Sequence, residues 1–209
     1  MKKTSKQVAS VLAAAVLSVY AGSASASIIF FDGFETTGQS SSVLNWNGGA
    51  NWDVHNGTVD LIKNGNPWGI ACHTGSWCVD MDGSTSNAGQ LISINLGPLS
   101  AGTYVVSYSL SGNQRGGASD SVVASVQVGL GSWTTSLASN AGWQNFSHTF
   151  TLTSTTSPVY MSFNATGGDN VGMILDDVLV TSTAVPEPAT LALLGLGLVG
   201  LGFAKRKKA

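Results

Sequence analysis

In a series of short runs between residues 92 and 180 apolar side chains recur at every second position, and that period of two is the strongest constraint on what this chain can fold into. Tyr104, Val106, Tyr108 and Leu110 alternate with Thr103, Val105, Ser107 and Ser109. Val122, Ala124, Val126 and Val128 alternate against Ser125 and Gln127; Phe146, His148, Phe150 and Leu152 follow, then Val159, Met161 and Phe163. Ile92, Ile94 and Leu96 read the same way against Ser93 and Asn95, and Ile174, Asp176, Val178 and Val180 close the series on one inward face. Successive side chains of a strand point to opposite sides, so these runs are half-buried strands. Clusters such as Gly112-Asn113-Gln114-Arg115-Gly116-Gly117 and Gly167-Gly168-Asp169-Asn170 separate them as turns. No long stretch follows the 3.6-residue period of a helix. Roughly eight to ten strands without intervening helices predict an all-β domain of two packed antiparallel sheets. Residues 27–183 are enough for one such domain with a substantial interior.

The two ends of the chain have a different character. Lys2, Lys3 and Lys6 precede an apolar run over residues 8–19, and Ala24-Ser25-Ala26 supplies small residues where a signal peptidase reads. Residues 1–26 are therefore a secretory signal peptide with an apolar helix, cut between Ala26 and Ser27. At the other end Pro186-Glu187-Pro188 resists helix, because proline lacks the backbone donor. No residue from Thr190 to Ala204 is charged, and a helix there would be about 22 Å long. Lys205, Arg206, Lys207 and Lys208 would hold its end on the cytoplasmic side. The order of motif, apolar span and basic cluster over residues 184–209 resembles the PEP-CTERM sorting signal of Gram-negative bacteria that make extracellular polysaccharide. The resemblance implies export across the inner membrane, a transient single transmembrane anchor, and cleavage by an exosortase near Pro186, Glu187 and Pro188. A permanent single-span anchor is the alternative. The product would then reside at the cell surface or in the extracellular matrix.

With both ends set aside, ten acidic residues face only Lys63 and Arg115, a net charge of −8. A body of that sign repels phosphates, which excludes nucleic acid as a partner.

Along the same body stand Asp32-Gly33-Phe34-Glu35, Trp52-Asp53-Val54, Val79-Asp80-Met81-Asp82-Gly83, Gly102-Thr103-Tyr104 and Leu175-Asp176-Asp177-Val178. Their order resembles galactose-binding-like jelly rolls, including carbohydrate-binding modules and a related family of plant cell-wall proteins. The resemblance implies a jelly-roll sandwich, sugar binding and one structural Ca²⁺. It would place that ion on the side chains of Glu35 and Asp176 and the carbonyl of Gly33, with Asp80 and Asp82 as further candidates. An inward Asp176 needs a cation, a proton or strong donors, since an unpaired buried carboxylate costs several kcal/mol. Capping a turn or accepting backbone N–H bonds would serve as well.

Cys72 and Cys78 in an exported chain predict a disulfide. A zinc site on Cys72, His73, Cys78 and His55 is the alternative, without a recognised ligand spacing. Trp52 reads as core and Trp143 as core or rim. Trp46, Trp68, Trp77 and Trp133 lie among Asn, Gly and Ser, where rings stack on sugar C–H faces. Trp68 and Trp77 flank the cysteine loop, which would stiffen them into a platform; burial under loop ends is the competing reading. No nucleophile elbow, metalloprotease helix or phosphate-binding loop occurs in the sequence. Glu35 is the sole glutamate of the body, so the acid–base pair of a glycosidase lacks an obvious partner. The expectation is a non-catalytic glycan-binding surface protein associated with exopolysaccharide. A structural or adhesive matrix protein without specific sugar binding is the alternative.

Overall fold

The computed structural model describes residues 26–85 and 87–183. The signal-peptide and sorting-signal expectations, including Pro186, Glu187, Pro188 and Lys205 to Lys208, lie outside the described residues. Twelve strands occupy the described chain: β1 (Ile28–Asp32), β2 (Val43–Trp46), β3 (Trp52–His55), β4 (Val59–Lys63), β5 (Trp77–Asp80), β6 (Gln90–Ser93), β7 (Gly102–Ser111), β8 (Asp120–Val126), β9 (Gly131–Leu137), β10 (Gln144–Leu152), β11 (Met161–Thr166) and β12 (Ile174–Ser182). The one helical turn among them, α1 (Gln127–Leu130), links β8 to β9. The count exceeds the sequence expectation because β2 to β5 are only four or five residues long, too short to display a period.

Seven strands form one sheet in the order β10-β7-β12-β5-β4-β2, with β1 beside the far half of β12; β3-β6-β11-β8-β9 form the other. The ladders between named strands are antiparallel. The fold is thus the expected all-β sandwich of two antiparallel sheets.

Between the sheets lies an interior that the alternation largely foretells. Tyr104, Val106, Tyr108 and Leu110 point inward from β7, Val122, Ala124 and Val126 from β8, and Met161 and Phe163 from β11. Trp52 is 1% exposed and packs against Phe30, Phe34 and Phe163 at centroid separations of 5.5, 5.9 and 6.1 Å. Aromatic pairs at such spacings add about 0.5–1.5 kcal/mol each beyond area burial.

Two strands depart from the alternation. In β6, Leu91 and Ser93 face the interior, while Ile92 is half-buried and Ile94 is 41% exposed. In β12, Leu175 pairs with Leu110 and Val180 with Val106, so six residues on one strand oppose five on the other. The extra residue is a β-bulge at Asp176–Asp177, with Asp177 at φ 51°. It reverses the phase of the strand. Val178 and Val180 join the main core, whereas Ile174 packs with Ile62, Ile70 and Cys78 on the outer side of the sheet. The expectation that Ile174, Asp176, Val178 and Val180 share one inward face is therefore corrected.

Candidate functional site

The segment joining β4 to β5, residues 64–76, folds back over the outer side of the seven-stranded sheet. Ile70 and Cys72 provide its apolar underside, against Ile62, Cys78, Ile174 and Trp143. Cys72 and Cys78 form the expected disulfide. Both thiols are consumed, which removes the zinc alternative.

Asparagines supply the rest of the fastening. The Asn66 amide donates to the carbonyls of Lys63 and Ile70 at 2.9 and 2.7 Å, and its oxygen accepts from the Trp68 and Ile70 amides at 3.1 Å each. Asn64 accepts from Cys72 N at 2.9 Å and donates to Gly75 O at 3.1 Å. Gln114 grips Ala71 from both sides at 2.9 and 3.0 Å, and Trp143 Nε1 donates to Ala71 O at 3.1 Å. Trp68 stands on this clamped loop with 38% of its surface exposed.

The other candidate tryptophans are placed differently. Trp46 and Trp77 are 7% and 5% exposed and belong to the core, so neither presents a ring face to a sugar. Trp77 also lies beneath the Lys63 ammonium, 5.4 Å from its ring centroid. The pairing of Trp68 with Trp77 as one platform is corrected: strand β5 carries the Trp77 ring inward. Trp133, half-buried on β9, stacks on the His148 imidazole at 4.4 Å and 9°, leaving at most one face for a ligand. His148 is bonded to the Tyr108 hydroxyl at 3.1 Å, and burial lowers its proton affinity. Burial also pushes the Tyr108 hydroxyl up to about 12.

Three carboxylates border the end of the loop. Asp176, fully buried, accepts from the amides of His73, Thr74 and Asp177 at 3.0, 3.2 and 2.8 Å. Burial raises its pKa to about 6 against these donors. Asp177 accepts from Thr74 Oγ1 at 2.5 Å and is paired with His73 Nδ1 at 2.7 Å. Glu35 Oε1 accepts from the Ser76 and Trp77 amides at 2.7 and 2.9 Å. A Cβ on Gly75, at φ 56°, would overlap this carboxylate. Gly33 completes the neighbourhood, since a Cβ there would lie 3.4 Å from Asp177 Oδ1. Glu35, Asp176 and Gly33 thus surround residues 73–77, but the carboxylate oxygens described here are aimed at N–H and O–H donors. Among the described residues no three His, Cys, Asp or Glu side chains converge as a metal cage.

A second charged group lies where β5, β7, β8 and β12 meet. Asp80 is fully buried and ion-paired with Arg115, and it accepts from the amides of Gly172 and Asp82 at 2.9 and 3.2 Å. Desolvation nevertheless dominates and lifts its pKa to about 7. Asp82 accepts from Gly168 and Asp169 at 2.6 and 3.1 Å, closing the 167–170 turn. Asp80 and Asp82 therefore act as turn clamps. No sequence signal marked Arg115 as the partner of Asp80; its position in a glycine-rich turn suggested only a loop.

What the chain's tail implies, independently of the loop and the sandwich, is export and surface sorting. Residues 184–207 match the PEP-CTERM protein-sorting motif. Residues 32–181 match the family described as protein of unknown function DUF642, and the chain belongs to that family. No curated protein matches it. Among solved structures it is similar to the CBM22-1 xylan-binding domain of Paenibacillus barcinonensis Xyn10C, at 11% identity over 77% of this chain and 97% of that one, with a TM-score of 0.48. It is also similar to the K3 cleaved adhesin domain of Lys-gingipain from Porphyromonas gingivalis, at 14% identity over 74% and 98% of the two chains, with a TM-score of 0.49.

Proposed function

We propose that the mature protein is a non-catalytic polysaccharide-binding protein of the cell surface or extracellular matrix, and that Trp68 is its principal ring contact. One observation carries the reading. An indole exposed on a loop that a disulfide and the Asn66 bonds have already ordered stacks on a sugar at little entropic cost. The sorting motif supplies the location, which we take to be outside the inner membrane of a Gram-negative cell that makes exopolysaccharide, after release from a transient anchor. Signal peptidase and an exosortase are the processing partners. Binding rather than catalysis fits the carboxylates: Glu35 is bonded to two amides, and Asp80 is paired with Arg115. A structural Ca²⁺ belongs to the same proposal; Glu35, Asp176 and the Gly33 carbonyl would hold it, in exchange for some of the present donors.

The test is retention of purified protein on affinity gels cast with the producing cell's own polysaccharide. Trp68→Ala should lose about fivefold or more of the retention, since a stacked ring contributes roughly 1–3 kcal/mol, while its melting temperature stays put. Equal retention of both proteins would favour the structural or adhesive matrix reading instead.

A further inference from the structure

The two ends of the sandwich leave it at one point. Ser182 N donates to Ser27 O at 2.9 Å, and Ser27 N to Ser182 Oγ at 3.2 Å. Thr183 is still clamped to β7, its amide and hydroxyl both bonded to Thr103 O at 2.8 and 3.0 Å. Only Ala184 and Val185 then separate the domain from Pro186. At no more than about 3.6 Å per residue, the processing motif cannot begin farther than about 11 Å from Thr183.

The surface around that exit is unusual for so acidic a body. The β6–β7 connection (residues 94–101) and the β10–β11 connection (residues 153–160) meet there through Leu99 and Thr156, and neither contains a charged residue. Residues 83–114 carry no Asp, Glu, Lys or Arg at all, and nor do residues 121–168. On the two exit strands the nearest carboxylates are Asp32 and Asp177, each five positions from the end. At about 3.3 Å per residue that is about 17 Å, or two Debye lengths at physiological salt. Asp80, Asp82, Asp120 and Asp169 gather at the opposite ends of β5, β8 and β12. Ile28, at the exit itself, is 70% exposed.

We propose that this sparsely charged pole is the face on which the precursor rests against the phospholipid headgroups of the membrane holding its terminal segments, and that cleavage at the motif requires this seating. The proposal rests on the sorting signal and not on glycan binding. A two-residue tether leaves a membrane enzyme no access to Pro186 unless the domain lies against the bilayer. A net charge of −8 opposes that approach to an anionic surface, unless the charges face away. The pole meets both demands apart from one exposed carboxylate, Asp53 on β3, which pairs with Ile92 two positions before the β6–β7 connection.

The experiment follows loss of the C-terminal signal from the full-length chain in its producing cell. Ala101 and Thr155 are exposed at the pole; Ala118 and Asn140 are exposed at the other end. Two added carboxylates at the pole should slow processing about thirtyfold, at about 1 kcal/mol per charge near an anionic surface. The A101E/T155E chain is therefore expected to be slow, and A118E/N140E to match the parent. A101K/T155K should be processed at the parental rate or faster. A spacer of about twelve Gly and Ser residues between Thr183 and Ala184, on the order of 20 Å in r.m.s. length, should restore A101E/T155E. Parental processing of A101E/T155E overturns the proposal. So does equal slowing by Glu and Lys pairs, which would mean a protein contact, or failure of the spacer to rescue, which would mean a folding defect.

Discussion

Asp32 Oδ2 accepts the indole Nε1–H of Trp52 at 2.8 Å, joining the first strand to the centre of the core. The same carboxylate takes Asn51 Nδ2 at 3.0 Å and the Phe34 amide at 2.7 Å, and the resulting turn sends Phe34 between Trp46 and Trp52. The opening Asp-Gly-Phe-Glu is thus a fastener for three segments, with Glu35 reaching on to Ser76 and Trp77. Asp32→Ala leaves three donors without their acceptor, at about 1–3 kcal/mol for each that stays buried. A loss of about 3 kcal/mol or more in urea-unfolding free energy is expected; a loss below about 1 kcal/mol would contradict this role.

Asp80 gives the domain a pH dependence. Its folded pKa of about 7 lies above its ordinary value of 3.8, because burial outweighs the Arg115 guanidinium. The folded state binds the proton more tightly than the unfolded chain, so this contribution is complete below about pH 4 and disappears as pH rises through 7. Thermal melts should show a higher transition at pH 5 than at pH 8, and Asp80→Asn should narrow the gap. A gap unchanged in Asp80→Asn would assign it to other groups.

Arg115 tests the same pair from the other side. Arg115→Met strips a fully buried carboxylate of its cation, an uncompensated charge that costs about 3–5 kcal/mol at pH 8. Lowering the pH to 5 should recover much of the loss by protonating Asp80. A defect independent of pH would point to lost packing of the arginine stem.

Removing the disulfide separates its two roles. Cys72→Ser/Cys78→Ser should cost about 2 kcal/mol, the chain-entropy value for so short a loop. The asparagine bonds remain, so the sandwich still folds. Limited proteolysis within residues 64–76 should accelerate, and retention on polysaccharide should fall with Trp68 no longer held. Unchanged proteolysis would show that Asn64, Asn66 and Gln114 suffice.

Calcium has its own measurement. If Glu35, Asp176 and Gly33 hold an ion, excess chelator lowers the melting temperature by several degrees and Asp176→Asn abolishes the response. Identical melts with and without chelator would leave the amides of His73, Thr74 and Asp177 as the carboxylate's whole support.

Much was legible in the sequence because it is local. Period-two runs placed the long strands β7, β8, β10 and β11 and their inward faces, and the turn clusters separated them. The Cys72–Cys78 pair followed from the expectation of export. The tail's sorting motif is a local pattern as well.

What the chain does with those pieces was settled by contacts distant in sequence. Leu91-Ile92-Ser93-Ile94 admits either phase, and the pairing of β6 with β11, where Ser93 Oγ accepts Met161 N at 2.9 Å, chose the one that buries Leu91. The bulge at Asp177 turned Asp176 away from the core, and nothing within β12 announces it. Trp46 and Trp77 sit among turn-forming residues, yet strand pairing carries both rings inside, leaving Trp68 exposed. Arg115 reaches Asp80 across 35 residues, and Ser27 meets Ser182 across 155. Periodicity is written in consecutive residues and survives translation into a fold; register, bulges and neighbours of neighbours depend on which strands meet, so only the folded chain decides them.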